Sequence, residues 1–315
     1  MVVGGTLGCA SNGSPSHAKQ KVLRVGVQKS GLLTLVRGKG ELGERLRSLG
    51  WQVQWTEFPA GPQLLEAMNV GSIDFGHCGD SPPIFAQAAG VPFRYVAASE
   101  PSPTGNGILV ASDSPFQKLE DLKGKKIAFT KGSSAHHLAL AALDSVGLTF
   151  KDVTPVYLIP SDARAALQSR SVDAWVIWDP YLAIAQQTDP VRILVDGQGL
   201  VSGREFFVAS EAFWSSHADL METILAELNR VGEWATQNPR QTAEFLSPGM
   251  GVDVDTLEFA ERRRARHNAQ QVTEELIREQ QMLADRYLSV GLIAQPIDVR
   301  QAFASTPKVG SAAPF

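Results

Sequence analysis

A chain of 315 residues is long enough for about two domains on the usual scale of 100–200 residues each. Hydrophobic residues make up 43% and charged residues 20%, enough for packed cores, and the net charge of −4 argues against general binding to nucleic acid or to an anionic membrane. No apolar run reaches the roughly 18 residues that suggest a membrane-crossing helix, and two cysteines, Cys9 and Cys78, are too few for a disulfide framework or a cysteine-built zinc site.

The first 18 residues are small and polar, without strand or helix period, and read as a leader or processed segment. Ser16-His17-Ala18 has the small–x–small form of a cleavage site, with Lys19 opening the mature chain. Cys9 follows Thr6-Leu7-Gly8, a weak likeness to a lipidation box with the leucine one place out of register. From there strands and helices alternate. Residues 22–27 read as a strand buried on both faces, Gln28 to Gly31 as a polar turn, and 32–49 as one helix stopped by Gly50. A strand at 51–55 and a helix from Gly61-Pro62 follow. A short strand at 73–76 then runs into Gly79-Asp80-Ser81-Pro82-Pro83, where proline suits a first helical turn and Asp80 or Ser81 its cap. Residues 93–98 and 107–111 are further strands.

The pattern restarts near Leu119. A strand at 126–129 ends in Thr130-Lys131-Gly132, and Ser133-Ser134-Ala135-His136 opens a helix that runs to Gly147. A strand at 153–158, a helix at 161–168 and a strand at 174–178 lead to a helix opened by Asp179-Pro180, then to strands at 192–195 and 206–209. Beyond these the chain is helical, over 219–237, 240–246, 255–267 and 273–290. The expected fold is α/β: two doubly wound lobes, with parallel sheets covered on both faces and a helical C-terminal tail packed on the first lobe.

An internal echo supports two related lobes. Ser72-Ile73-Asp74 is followed six residues after its aspartate by Asp80, and Ser171-Val172-Asp173 likewise by Asp179. Each copy ends in a capped turn at the C-terminal end of a strand, where open α/β sheets bind ligands. Gly79-Asp80-Ser81, the stretch from Lys131 to His136, and Trp178-Asp179 are therefore expected around one cleft, joined by Gln28 and Asn106-Gly107. A helix start offers unpaired N–H groups and a partial positive charge, which suits an oxyanion, and Trp178 offers an organic tail an apolar platform. Each of these residues also has a plain structural use: the serines and aspartates as caps, Trp178 as core, His136 as a packed ring. No Gly-x-Ser-x-Gly elbow or phosphate loop is present, and no His/Asp/Glu set has metal-ligand spacing, so neither catalysis nor a metal is indicated. The basic run from Arg262 to Arg266 reads as a solvated helix face.

Four runs in this order, Gly71-Ser72-Ile73-Asp74-Phe75-Gly76, Gly79-Asp80-Ser81-Pro82-Pro83-Ile84, Lys131-Gly132-Ser133-Ser134-Ala135-His136 and Val172 to Pro180, resemble the periplasmic aliphatic sulfonate-binding proteins of ABC importers. The resemblance implies a type II periplasmic binding-protein fold with a hinge crossed near Gly107–Ala111 and Glu205–Ala209. Lobe I would span 20–108 and 209–300, lobe II 109–208, and a tail 301–315. It implies an alkanesulfonate between the lobes, held by neutral donors at two helix starts without a buried cation: Ser81 on one side, Ser133, Ser134, Ala135 and His136 on the other. The tail would lie toward Trp178, with Gln28, Asp80, Gly107 and Asp179 as further candidates. The implied partner is the membrane permease of an ABC importer, the implied state a periplasmic monomer without cofactor, metal or nucleic acid. Taurine or an inorganic oxyanion is the alternative ligand, and an enzyme on the same scaffold the rival class. Related pyrimidine-precursor synthases carry a cysteine-rich iron motif that this sequence lacks.

Overall fold

The computed structural model describes Met1 and residues 21–304. The leader reading, with Cys9 and its lipidation box, and residues 305–315 lie outside them. Lys21–Val27 (β1), Leu32–Lys39 (α1), Glu41–Ser48 (α2), Trp51–Glu57 (β2), Gly61–Asn69 (α3), Phe75–Gly79 (β3), Ser81–Ala88 (α4) and Phe93–Ala98 (β4) form the first run. The second comprises Asn106–Ala111 (β5), Lys126–Phe129 (β6), Ser134–Ser145 (α5), Thr154–Tyr157 (β7), Pro160–Gln168 (α6), Ala174–Trp178 (β8), Tyr181–Thr188 (α7) and Val191–Asp196 (β9). Glu205–Ser210 (β10) then leads into Glu211–Gln237 (α8), Pro239–Met250 (α9), Val254–Arg263 (α10) and Glu274–Ser289 (α11). The single helix expected over 32–49 is two, because Gly40 takes a left-handed φ of 75° that breaks the ladder between them. The helix expected to reach residue 267 stops at Arg263, where Arg264 turns extended.

Two five-stranded sheets result, ordered β2-β1-β3-β10-β4 and β7-β6-β8-β5-β9. The second repeats the first strand for strand, with β6, β7, β8 and β9 in the places of β1, β2, β3 and β4. The echo in the sequence is this repeat. Asp74 accepts the Arg24 backbone N–H at 2.8 Å, and Asp173 accepts the Lys126 backbone N–H at 2.8 Å. Each aspartate thus ties its turn to the equivalent position of the neighbouring strand, one residue before that strand first pairs with β3 or β8.

The sheets are mixed rather than parallel. β10 runs antiparallel to β3 and β4, and β5 antiparallel to β8 and β9. The cause is topological: a strand arriving from the other lobe starts at the cleft, where β3 and β8 end. Hence Glu205 pairs with Gly79, and Asn106 with Trp178. This corrects the expected boundaries. β5 lies wholly in the second sheet and β10 wholly in the first, so the crossings fall at 99–105 and 197–204. The two crossing segments are bonded to each other, Ser102 N–H to Ser202 carbonyl at 2.9 Å and Ser99 N–H to Glu205 carbonyl at 2.8 Å.

The helical segment closes both faces of lobe I. Ile224, Leu228 and Val231 of α8 join Leu33, Leu35 and Val36 of α1 in one core. Leu283, Ala284 and Tyr287 of α11 join Ile84 and Cys78 in another. Ala302 and Phe303, expected in a separate tail, belong to that second core, with Phe303 stacked on Tyr95 at 4.3 Å. α10 reaches further than expected and packs against α7 of lobe II, where Arg263 donates to Gln186 at 2.7 Å.

Candidate functional site

A cavity lies between the sheet ends, lined from lobe I by Gln28, Gly79 and Pro82, and from lobe II by Ser133, Ser134 and Trp178. It offers about 60 Å³ to water centres. One water needs roughly 10–15 Å³ by the same measure, so the space suits a group of four to six heavy atoms.

The start of α5 is built to leave donors free. Gly132 (φ 75°) reverses the chain after β6, and Ser133 is extended. Ser133 does not cap the helix; its hydroxyl donates to the Thr130 carbonyl at 2.7 Å. Ser134 and Ala135 hold the first two helical positions, whose N–H groups have no intrahelical acceptor. Among the described residues the Ser134 hydroxyl has no hydrogen-bond partner either. Across the gap stands Gly79. A Cβ there would overlap the Ser134 hydroxyl oxygen and lie 3.1 Å from the Ser134 Cβ, so glycine at 79 is what lets the two lobes meet at this point.

The other sequence candidates divide. Gln28, Trp178 and Asp179 also line the cavity; Gln28 is steadied by donating to the His77 carbonyl at 3.0 Å, and Trp178 stands edge-on to Tyr181 at 6.3 Å. Ser81 is fully buried and its hydroxyl bonds to the Tyr287 hydroxyl, so α4 does not mirror α5. Pro82 and Pro83 moreover remove two of the N–H groups that a helix start normally offers. Asp80 faces away from this cavity, pairing across the lobes with His137 at 2.6 Å. Gly107 packs on Leu182, and Ala135 on the second lobe's core. His136 is enclosed, its ring stacked 5.0 Å from Phe129 and 5.8 Å from Phe85, with Nδ1 accepting the Gly132 N–H. Burial, with Lys131 nearby, pushes its pKa down to about 4.

Sequence reasoning missed the charged wall. Arg264, Arg204 and Glu205 line the cavity with Ser102, beside Asn106, which the sequence had placed there. The basic run does not make one solvated face: at the C-terminal end of α10, Arg263 and Arg264 turn inward. Arg263 grips the Asp179 carboxylate at 2.6 and 2.7 Å, and that carboxylate also accepts the Ala183 N–H at 3.1 Å. Burial still pushes the Asp179 pKa up to about 6, against the pull of Arg263 and Arg264. Arg264 stands 3.7 Å from Glu205. Burial works against its charge, but Glu205, Glu261 and Asp179 outweigh that and raise its pKa. The expectation of a cleft without a buried cation is thus corrected, and the density of arginine at 262–266 was the one signal for it.

Among the described residues no group of three His, Cys, Asp or Glu side chains could hold a metal ion, and no helix is long and apolar enough to cross a membrane. Two like-built α/β lobes, joined by paired crossings and meeting over a small polar cavity, define a two-lobed solute receptor. The solved alkanesulfonate-binding protein SsuA of Xanthomonas axonopodis pv. citri, bound to MOPS, is 37% identical, with a TM-score of 0.86 over 90% of this chain and 98% of that one. The periplasmic aliphatic sulphonate binding protein SsuA of Escherichia coli is 39% identical, with a TM-score of 0.82 over 94% and 96%. The chain belongs to this aliphatic sulfonate-binding family, and residues 50–242 match the NMT1/THI5 like family. A desulfurization enzyme, DSZB, shares the fold alone, at 16% identity and a TM-score of 0.62 over 91% and 97%.

Proposed function

We propose that the protein is a periplasmic receptor that captures alkanesulfonates between its lobes and presents them, as a closed monomer, to the permease of an ABC importer for sulfur acquisition. The observation that carries the reading is the open first turn of α5 at the cavity, with Ser134 contributing a free hydroxyl and unpaired N–H groups beside it. A sulfonate is a tetrahedral monoanion with three acceptor oxygens across the physiological pH range. Hydrogen bonds to a charged group contribute about 1.5–3 kcal/mol each. Three or four contribute about 4.5–12 kcal/mol, and burial of the tail works against the costs of association and closure, which places the affinity in the micromolar range of roughly −8 kcal/mol. Arg264, already paired with Glu205, supplies the positive field without a full unpaired charge. The 60 Å³ of room suits the head and first carbons of the ligand, with Trp178 beside the tail. Contacts from both lobes favour the closed form, which a permease can distinguish.

The sulfonate leaves as it entered; the reading includes no turnover. Calorimetry with methane- to octanesulfonate, taurine, sulfate and nitrate tests it. Micromolar alkanesulfonate binding is expected, with sulfate and nitrate about tenfold weaker or worse, and the ligand recovered intact after long incubation. For Trp178→Ala the loss grows with tail length. An unchanged melting curve at millimolar sulfonate refutes the ligand class, and desulfonated product refutes a pure receptor.

A further inference from the structure

A second cavity of about 420 Å³ lies on the other side of the turn at 79–81, between α5 of lobe II, α11 and the crossing segment at 199–202. Its volume falls within the roughly 300–1,000 Å³ of small-molecule sites. Leu140, Ala141, Leu200, Val201, Phe206 and Leu283 make it mainly apolar, and three carboxylates, Asp80, Asp144 and Glu279, face it against the single guanidinium of Arg286 and the ring of His137. Arg286 is committed to Asp144 at 2.8 Å. Asp80 is 3% exposed; one of its oxygens takes His137 at 2.6 Å, and the other has no hydrogen-bond partner among the described residues. A buried carboxylate oxygen without a donor is costly, and a cation nearby relieves that cost. Glu279 reaches the guanidinium of Arg204 at 3.3 Å, and Arg204 lines the first cavity. One ion pair therefore joins the walls of both cavities.

We propose that this cavity is a second binding site, for an amphiphilic organic ammonium ion, and that its occupancy strengthens anion binding in the cleft. The hydrocarbon lies on the apolar floor and the ammonium toward Asp80 and Glu279. A cation that draws on Glu279 loosens its hold on Arg204, leaving that guanidinium to the anion. The walls belong to both lobes, so the occupant also favours one lobe arrangement, and the linkage is reciprocal. The coupling, though not the ammonium site itself, rests on the sulfonate reading of the cleft.

The test is calorimetry on the full chain with phenethylammonium, its neutral analogue 2-phenylethanol, and butanesulfonate. Phenethylammonium is expected to bind one-to-one at about millimolar Kd or tighter, and the alcohol about fivefold more weakly or worse. Ala141→Trp fills the cavity, and Met282→Lys sets a cation at its rim, where Met282 is 67% exposed and readily replaced. Each variant weakens phenethylammonium about tenfold while leaving butanesulfonate binding unchanged. Saturating phenethylammonium tightens butanesulfonate about twofold or more in the native chain and not in Ala141→Trp. No saturable binding below about 10 mM, or native affinity in Met282→Lys, overturns the site. Binding with an unchanged or weakened butanesulfonate affinity overturns the link. A chain that takes up phenethylammonium but no sulfonate overturns the reading of the cleft alone.

Discussion

Gly79→Ala separates folding from ligand capture more cleanly than any substitution of a polar residue in the cleft. Gly79 does not require a positive φ, so alanine suits its backbone, and the nearest atoms to the added methyl are those of Ser134 from the opposite lobe. The hydroxyl oxygen can rotate away, but the Ser134 Cβ at 3.1 Å from the new carbon cannot without the lobes parting slightly. Lobe I itself meets no clash, and its stability should stay within about 0.5 kcal/mol of native. What is lost is the Ser134 hydroxyl bond to the anion, about 1.5–3 kcal/mol, or roughly a 10- to 150-fold weaker Kd. The assay is a double-mutant cycle by calorimetry with butanesulfonate, using Gly79→Ala, Ser134→Ala and the pair. If the methyl acts through Ser134, the pair loses little more than either single variant. Losses that simply add, or a Gly79→Ala chain with native affinity, would refute the reasoning.

Arg264→Met is expected to weaken sulfonate binding about tenfold and to cost about 3 kcal/mol of stability, since Glu205 and Glu261 then stay buried without their guanidinium. Adding Glu205→Gln should restore part of the stability, read from urea midpoints, but not the affinity. His136 has its folded pKa lowered to about 4 from 6.5, so the unfolded chain takes up its proton first and stability falls as pH drops through that window. His136→Phe should remove up to about 3 kcal/mol of that acid loss between pH 7 and 4, with sulfonate affinity unchanged; an unaltered pH slope refutes the packed, neutral ring. Asp179 has the opposite sign: its folded pKa is raised to about 6 from 3.8, so its contribution falls as pH rises from about 4 to 6. Relative to Asp179→Asn, native stability should drop by up to about 3 kcal/mol across that range, and a flat difference would mean Arg263 keeps the carboxylate ionised throughout.

Much of this architecture was legible because it depends on short-range rules. Apolar runs such as 93–98 and 126–129 locate strands to within a residue, and the echo of Asp74 in Asp173 anticipated a repeated lobe whose aspartates bond equivalent strand positions. The open turn at Ser133-Ser134 was readable from a glycine and small residues ahead of an apolar helix. What was not readable depends on contacts distant in sequence. The hydroxyl of Ser81 is turned to a tyrosine 206 residues away, and Asp179 to an arginine 84 residues away. Arg264 enters the cleft only because α10 stops four residues before the apparent end of its helical period, as residues 264–267 leave the helix. The antiparallel strands were hidden for a similar reason. Composition does not say from which end a strand enters its sheet.

The position of β10 between β3 and β4 bears on how the chain is made. All five strands of lobe II come from one continuous stretch, residues 106–196, so that lobe can close its sheet as soon as this stretch is available. Lobe I cannot. Its first four strands are finished by residue 98, yet a gap one strand wide stays open between β3 and β4 until Glu205–Ser210 arrives more than a hundred residues later. Over that interval the N-terminal portion carries two unpaired strand edges and the exposed apolar faces that α8 and α11 later cover. A polypeptide that must cross a membrane before folding gains from this delay, because its leading segment cannot lock into a compact domain while the rest is still being synthesised. The same delay exposes that segment to misassembly, since open strand edges are where chains aggregate.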